Sequence, residues 1–156
     1  MLKPILLVED NPKDLELTLL ALAKSNLAND VVTVRDGEEA LNYLHQQGEY
    51  RNRTPGLPAV VLLDLKLPKV DGLQVLERIK ADENLRSIPV VMLTTSREEQ
   101  DLVKSYRLGV NAYVVKPVVF KDFLEAIRDL GIFWAVINEP PPGSLKPGRN
   151  APPRTA

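Results

Sequence analysis

Five short apolar runs, most of them ending at a polar or charged residue, constrain the fold of this chain more than any other feature of its sequence. Each run has three to five residues. Runs this short and continuous are typical of strands that are buried on both faces, as in a parallel sheet. We therefore predict strands over Ile5–Val8, Val31–Val34, 59–63, 90–93 and 113–115.

Amphipathic stretches separate these runs and follow the last of them. In the first stretch, Pro12–Lys24, Asn11 is placed to cap a helix and proline occupies the first helical position. Apolar residues at helical spacing predict four more helices, over 38–45, around 73–79, over 98–108 and over 119–134. The alternation of strand and helix predicts an α/β fold with helices on both faces of a five-stranded parallel sheet.

The length and the distribution of proline predict one folded domain and a tail. The 156 residues suit a single domain, which we place at residues 1–138 with an extended last helix. Residues 46–58 are polar and are predicted to form a long loop within it. Residues 139–156 hold six of the thirteen prolines and are predicted to be a disordered or extended tail.

The charge and the lack of cysteine argue against several classes of function. A formal net charge of -1 gives no overall field that would favour a nucleic acid or a membrane surface. Without cysteine there is no thiolate ligand, cysteine nucleophile or disulfide, which fits the cytoplasm. The apolar run before Glu9 is too short for a signal peptide or a membrane span. We expect a cytoplasmic protein with neither a membrane nor DNA as its partner.

Polar residues of several kinds follow the predicted strands directly. Glu9 and Asp10 follow the first strand, Asp64 the third, Thr94 the fourth and Lys116 the fifth. The carboxyl ends of parallel strands meet at one edge of the sheet, where open α/β sheets bind their ligands. We therefore predict that these five side chains form one site.

The residue types in this site predict metal-dependent phosphoryl transfer. Three converging carboxylates that face one lysine raise each other's pKa or recruit a cation. Mg²⁺ suits a few carboxylates together with water and a phosphate oxygen, whereas zinc would need cysteine or histidine ligands. Asp64 could then act as a nucleophile and form an acyl phosphate. Lys116 and the Thr94 hydroxyl could hold the phosphoryl oxygens.

Each of these residues also has an ordinary structural explanation. An aspartate after a strand is usually a cap, a lysine is usually a solvated surface charge, and a threonine suits a strand. The order in which an acidic pair, an aspartate, a hydroxyl and a lysine–proline pair close successive strands favours the functional interpretation.

Four segments resemble the signature segments of two-component response-regulator receivers. They are ILLVEDN, VVLLDLKLPKVDGL, PVVMLTTS and NAYVVKP, and the resemblance covers about residues 3–130. It implies a doubly wound, flavodoxin-like sheet with strand order 2-1-3-4-5. It also implies that a sensor histidine kinase supplies the phosphoryl group and that the protein signals by a conformational or dimerisation switch.

The resemblance implies a role for each matching residue. Asp64 becomes the phospho-acceptor and Lys116 the phosphate-binding lysine, joined to Pro117 by a cis peptide bond. Thr94 becomes the switch hydroxyl and Tyr113 the switch aromatic side chain. The implied ligands of Mg²⁺ are Asp10, Asp64, the backbone carbonyl of Lys66 and, through water, Glu9.

Two further segments narrow the resemblance. The loop over residues 46–58 and the aromatic pair Phe133 and Trp134 are similar to the single-domain regulators that are paired with bacterial phytochromes. That similarity implies a light-sensing histidine kinase partner and a homodimer built through the C-terminal helix, with Phe133 and Trp134 in the interface. Too few residues follow Leu130 for a helix-turn-helix domain, so output by protein contact is expected.

Three other functions compete with this interpretation. A phosphatase of the haloacid-dehalogenase type would usually carry an aspartate where this chain has Lys66. A flavodoxin-type module would need a phosphate-binding loop after the first strand, where Glu9 and Asp10 would repel phosphate. A degenerate receiver would only dimerise, and a receiver without output would serve as a phosphate sink. The degenerate form is disfavoured by the intact set of Glu9, Asp10, Asp64, Thr94 and Lys116. Lys66 and Thr95 also depart from common receiver residues, and we predict that they alter the lifetime of the phosphoryl group.

Overall fold

The structure is a computed structural model that describes residues 3–25, 27, 29–110 and 112–132. Five strands alternate with five helices along the chain, as predicted. The strands are β1 Ile5–Val8, β2 Val31–Val34, β3 Val60–Asp64, β4 Val90–Thr94 and β5 Ala112–Val115. The helices are α1 Pro12–Lys24, α2 Gly37–His45, α3 Gly72–Ala81, α4 Arg97–Ser105 and α5 Phe120–Asp129.

The five strands form one parallel sheet in the order β2-β1-β3-β4-β5. This order confirms the doubly wound fold that was predicted. The direction in which strands are added reverses between β1 and β3, because β2 lies on one side of β1 and the later strands lie on the other. That reversal opens a crevice at the carboxyl edge of the sheet, between the ends of β1 and β3.

Both faces of the sheet are buried, which explains why the strands read as continuous apolar runs. Successive residues of a strand point to opposite faces. Leu6 and Val8 therefore belong to the core on one side, whereas Ile5 and Leu7 belong to the core on the other. Buried residues of α2, α3 and α4 complete the first core, and those of α1 and α5 complete the second.

Polar side chains cap the starts of α1, α2, α3 and α4, close to the carboxyl edge of the sheet. The Asn11 side chain accepts hydrogen bonds from the backbone N–H groups of Lys13 and Asp14, which starts α1. Asp71 and Gln74 form a reciprocal capping box at the start of α3. Because α1 begins four residues after β1, its first turn lies beside the acidic pair that ends that strand.

Gly72 allows α3 to begin directly against the end of β3. Its N–H donates to the Leu65 carbonyl at 2.9 Å. A Cβ at this position would lie 2.1 Å from the Asp64 carbonyl oxygen, which no side chain could tolerate without a backbone shift. The glycine therefore fixes the path of the loop that follows Asp64 and carries Lys66.

The last two helices end earlier than the sequence predicted. The predicted helix over 98–108 ends at Ser105, and Arg107 and Gly109 follow with φ of 53° and 76°. The predicted helix over 119–134 ends at Asp129, and Gly131, two residues later, adopts a φ of 72°. A residue in this left-handed region just after a helix commonly terminates it.

Several predictions fall on residues outside the described ranges. Phe133, Trp134 and the tail over residues 139–156 are among them, so the interface and domain boundaries stay predictions. The loop over residues 46–58 is described and contains a short 3-10 helix, Gly48–Tyr50. None of the helices in the described part of the chain has the length and apolarity needed to cross a membrane.

Candidate functional site

The sheet brings the predicted polar residues together at its carboxyl edge. Val8 of β1 is in register with Leu63 of β3, so the residues that follow these positions emerge side by side. Asp64 is in register with Leu93, and the next residue of β4 is Thr94. The Lys116 N–H donates to the Thr94 carbonyl at 2.7 Å, which joins the end of β5 to the same edge.

Three carboxylates converge in this crevice. Oxygen atoms of Glu9, Asp10 and Asp64 all lie within 4.8 Å of one another. Glu9 and Asp64 are buried, whereas Asp10 is exposed. A set of carboxylate oxygens with one side open to water suits a hard divalent cation that keeps part of its hydration shell.

Lys116 is the cation that faces these acids. Its Nζ lies 2.9 Å from Glu9 Oε1, 3.1 Å from Asp64 Oδ2 and 2.9 Å from Asp14 Oδ2. The peptide bond from Lys116 to Pro117 is cis, as the sequence resemblance implied. Burial lowers the pKa of Lys116, but the hydrogen bonds to these carboxylates outweigh it and leave the pKa above its usual value.

Asp14 was missed as a site residue in the sequence. It lies in the first turn of α1, where an acidic residue ordinarily interacts with the helix dipole. Asp14 follows Asp10 by four residues. Because α1 begins just after β1, this short spacing could have indicated that Asp14 lies beside the same edge of the sheet.

Glu9 has a raised pKa because its carboxylate is buried beside that of Asp64. Burial, followed by the neighbouring Asp64 carboxylate, raises the pKa of Glu9 to about 7, and Lys116 offsets only part of that shift. The Glu9 carboxylate also accepts a hydrogen bond from the Asn11 N–H at 3.3 Å, which fixes its position beside β1. A site with this excess of negative charge is electrostatically suited to take up a cation.

Thr94 carries a buried hydroxyl without a partner. The residue is 0% exposed, and its Oγ1 has no hydrogen-bond partner among the described residues. Leaving such a group unpaired costs about 1–3 kcal/mol. Thr94 directly follows Leu93, the register partner of Asp64, so its hydroxyl would gain a hydrogen bond by turning toward an oxygen atom bound at Asp64.

Lys66 connects the site to α4. Its backbone N–H donates to Asp64 Oδ1 at 3.4 Å, and its Nζ lies 3.2 Å from Glu99 Oε2. The other oxygen of Glu99 accepts a hydrogen bond from the Thr95 N–H at 2.8 Å. Burial raises the pKa of Glu99, but the contacts with Thr95 and Lys66 outweigh it and lower the pKa overall. Glu99 was not identified from the sequence.

Tyr113 lies on β5, three residues before Lys116. It is half-buried, and its hydroxyl donates to the Val110 carbonyl at 3.2 Å. The Lys104 ammonium of α4 lies 5.3 Å from the centre of the tyrosine ring. The ring therefore packs between β5 and α4, the two elements that a movement of this side chain would affect.

A doubly wound sheet with an acidic cluster and a lysine at its carboxyl edge is the arrangement that the resemblance to receiver domains implied. The sequence pattern of the response regulator receiver domain matches residues 5–128, and the chain belongs to this family.

Individual relatives are similar over most of their length. Response regulator Rcp1 from Synechocystis is 44% identical over 132 residues, which are 85% of this chain and 88% of Rcp1. The Mn²⁺-bound structure of Rcp1 has a TM-score of 0.68 at 40% identity and covers 94% of this chain and 99% of that one.

Two other solved structures are also similar. The bacteriophytochrome response regulator RtBRR is 69% identical with a TM-score of 0.85, covering 92% of this chain and 87% of that one. The phosphorylated cyanobacterial phytochrome response regulator RcpA is 47% identical with a TM-score of 0.68, covering 86% and 94%.

Proposed function

We propose that this receiver accepts a phosphoryl group from a sensor histidine kinase onto Asp64 in a Mg²⁺-dependent reaction. The observation that carries the proposal is the arrangement of three carboxylates within 4.8 Å of one another, closed by Lys116 and the unpartnered Thr94 hydroxyl. The chain acts on no external substrate and catalyses only its own phosphorylation and dephosphorylation.

Asp64 is the nucleophile of the proposed reaction. One of its carboxylate oxygens forms a bond to phosphorus while the bond between phosphorus and the histidine nitrogen of the donor breaks, giving an aspartyl phosphate. The Lys66 N–H donates to Asp64 Oδ1 and the Lys116 ammonium donates to Asp64 Oδ2, so each carboxylate oxygen has a donor. Lys116 and the Thr94 hydroxyl then bind oxygens of the transferred group, which positions it and balances its charge.

The metal site follows from the chemistry of the donor set. Asp10, Asp64 and the Lys66 carbonyl would hold the ion directly, and Glu9 would hold it through water. When bound, the ion neutralises the charge that accumulates between carboxylate and phosphoryl oxygens. The Mn²⁺ in the Rcp1 structure supports a divalent cation. Coordination by hard oxygen atoms and the availability of the ion favour Mg²⁺ in the cell.

Phosphorylation is proposed to act by a population shift. The phosphoryl group adds negative charge and strong acceptor oxygens, toward which Thr94 moves. Tyr113 then turns into the space that Thr94 leaves, and the surface of α4, β5 and α5 changes. The structure of phosphorylated RcpA supports phosphorylation as a state of this receiver. Lys66 and Thr95 border the acceptor and set the lifetime of the phosphoryl group.

The proposed partner is the histidine kinase of a bacterial phytochrome. RtBRR and RcpA are phytochrome response regulators that this chain covers over most of their length. We propose that the protein works in the cytoplasm and signals by contact with proteins rather than with DNA. A homodimer through the C-terminal helix region, with Phe133 and Trp134 in its interface, is part of this proposal.

The competing functions fit the site less well. Lys66 stands where a haloacid-dehalogenase-type phosphatase needs an acid, and it is held by Glu99 rather than aimed at a leaving group. The loop after β1 presents carboxylates, which disfavours a flavodoxin-type phosphate site. A degenerate receiver that only dimerises has no need for a buried Thr94 hydroxyl that lacks a partner among the described residues. A phosphate sink would use the same site and would differ only in having no output.

Transfer from a kinase tests the proposed function. A bacterial phytochrome kinase is autophosphorylated with radiolabelled ATP and mixed with the wild type and with Asp64→Asn. We expect label on the wild type within minutes and none on the variant. Label that appears equally on both proteins would refute Asp64 as the acceptor, and label on neither would refute this class of kinase as the partner.

A further inference from the structure

The carboxylate of Glu99 joins the acceptor loop, which is the segment 65–71 between β3 and α3, to the start of α4. Glu99 lies in the first turn of α4, and its side chain is 14% exposed. Its Oε1 accepts a hydrogen bond from the Thr95 N–H at 2.8 Å, and its Oε2 lies 3.2 Å from Lys66 Nζ. The residue after Thr94 and the residue two after Asp64 are therefore held by the same side chain.

Lys66 contacts both Asp64 and Glu99. The backbone of Lys66 begins at the acceptor, where its N–H donates to Asp64 Oδ1, and its ammonium ends on α4. The lysine side chain is 78% exposed, so little packing opposes a change of its rotamer. A cation on a flexible stem that starts beside the acceptor can reach either the helix or a group bound to Asp64.

We propose that Glu99 is a positioning residue that holds the Lys66 ammonium on α4, so that Glu99 and a phosphoryl group on Asp64 compete for this one cation. The inference rests on the proposed function of Asp64. A phosphoryl group carries about -1.5 to -2 charges, against one negative charge on Glu99. Phosphorylation therefore draws Lys66 away from Glu99 and releases one link between the acceptor loop and α4.

The competition predicts the direction of a measurable change. In Glu99→Gln the side-chain oxygen still accepts the Thr95 N–H, but the negative charge that holds Lys66 is gone. Lys66 is then available to the anion, and the protein binds a phosphoryl mimic more tightly. Ion pairs that are partly exposed to water are weak, so we expect a gain in affinity of roughly two- to fivefold.

Loss of the negative charge of Glu99 would favour binding of the anionic mimic even without competition for Lys66. A double-mutant cycle separates these two effects. Beryllofluoride is titrated with Mg²⁺ into wild type, Glu99→Gln, Lys66→Met and the double variant, and bound fluoride is followed by fluorine NMR. Competition predicts tightening by Glu99→Gln when Lys66 is present and less in the Lys66→Met background. A simple field effect predicts the opposite order, because Glu99 is then no longer neutralised.

Glu98→Gln is the matched control. Glu98 is an exposed acid in the same turn of α4, and its removal changes the net charge by the same amount. We expect the affinity of this variant to stay within the error of the wild type. An equal gain in Glu98→Gln and Glu99→Gln, or no gain in Glu99→Gln, would overturn the inference. Failure of the wild type itself to bind beryllofluoride with Mg²⁺ would instead refute the proposed function.

Discussion

Lys116 reaches Asp64 across the carboxyl edge of the sheet, with 3.1 Å between its Nζ and Asp64 Oδ2, although the two residues are 52 positions apart in the chain. The same ammonium contacts Glu9 and Asp14. The lysine therefore stabilises the unphosphorylated protein, because its charge offsets those of the buried Glu9 and Asp64 carboxylates. The proposed reaction redirects this cation toward the phosphoryl group.

Replacing Lys116 should reduce both stability and phosphorylation. Lys116→Met leaves the buried carboxylates of Glu9 and Asp64 without their cation. Removing one partner of a buried ion pair is strongly destabilising, and we expect the free energy of unfolding to fall by about 3 kcal/mol. Urea denaturation measures this change. Lys121→Met, at an exposed position of α5, is the control, and an equal loss in the two variants would contradict the role of Lys116.

Mg²⁺ should stabilise the protein through the acidic cluster. At ten times its dissociation constant the ion should add about 1.4 kcal/mol to the free energy of unfolding. Asp10→Asn should lose most of this gain. Without Mg²⁺ it should be more stable than the wild type by about 1 kcal/mol, because the substitution removes one of the mutually repelling charges. Thermal unfolding in Mg²⁺ and in EDTA tests both changes. Asp101→Asn, an exposed acid of α4, should respond to Mg²⁺ like the wild type.

Thr94→Val should separate stability from signalling. Valine has a similar shape but lacks the buried hydroxyl that has no partner among the described residues. We expect the unphosphorylated variant to gain about 1 kcal/mol in the free energy of unfolding. Its Tyr113 resonances should no longer respond to beryllofluoride in NMR spectra. Thr33→Val, on an exposed position of β2, provides the control, and a destabilised Thr94→Val would show that the hydroxyl is already satisfied.

Gly72→Ala should disrupt the loop that follows Asp64. The added Cβ would meet the Asp64 carbonyl oxygen at 2.1 Å, so the backbone must move. Overpacking of this kind costs about 1–3 kcal/mol, and we expect a loss at the upper end together with slower phosphorylation. Gly109→Ala meets no neighbour within 4 Å and carries only the strain of its positive φ. Equal destabilisation of the two variants by urea would argue against the close approach at Gly72.

The sequence predicted the strands well because their burial on both faces leaves an unambiguous apolar run. The predicted ends of β3, β4 and β5 differ from the observed ones by one residue. The ends of α4 and α5 were misjudged because apolar spacing continues past them. What terminates the helices is a backbone in the left-handed region, and Arg107 gives no sign of this in its residue type.

The residues named at the strand ends were brought together as predicted, because parallel strands place their carboxyl ends at one edge. Asp14 and Glu99 were missed for a common reason. Both lie in the first turn of a helix, where an acid is expected for the helix dipole alone. Their contacts with Lys116 and Lys66 depend on the angle between helix and sheet, which a single sequence does not reveal.

Intact mass after incubation with acetyl phosphate and Mg²⁺ tests the central claim most directly. The proposed function predicts one phosphoryl adduct on the wild type and none on Asp64→Asn or on the wild type in EDTA. Beryllofluoride binding distinguishes rapid hydrolysis from failure to react, since it forms a stable mimic at the same carboxylate. An adduct that persists in Asp64→Asn, or a wild type that shows neither an adduct nor beryllofluoride binding, would contradict the account.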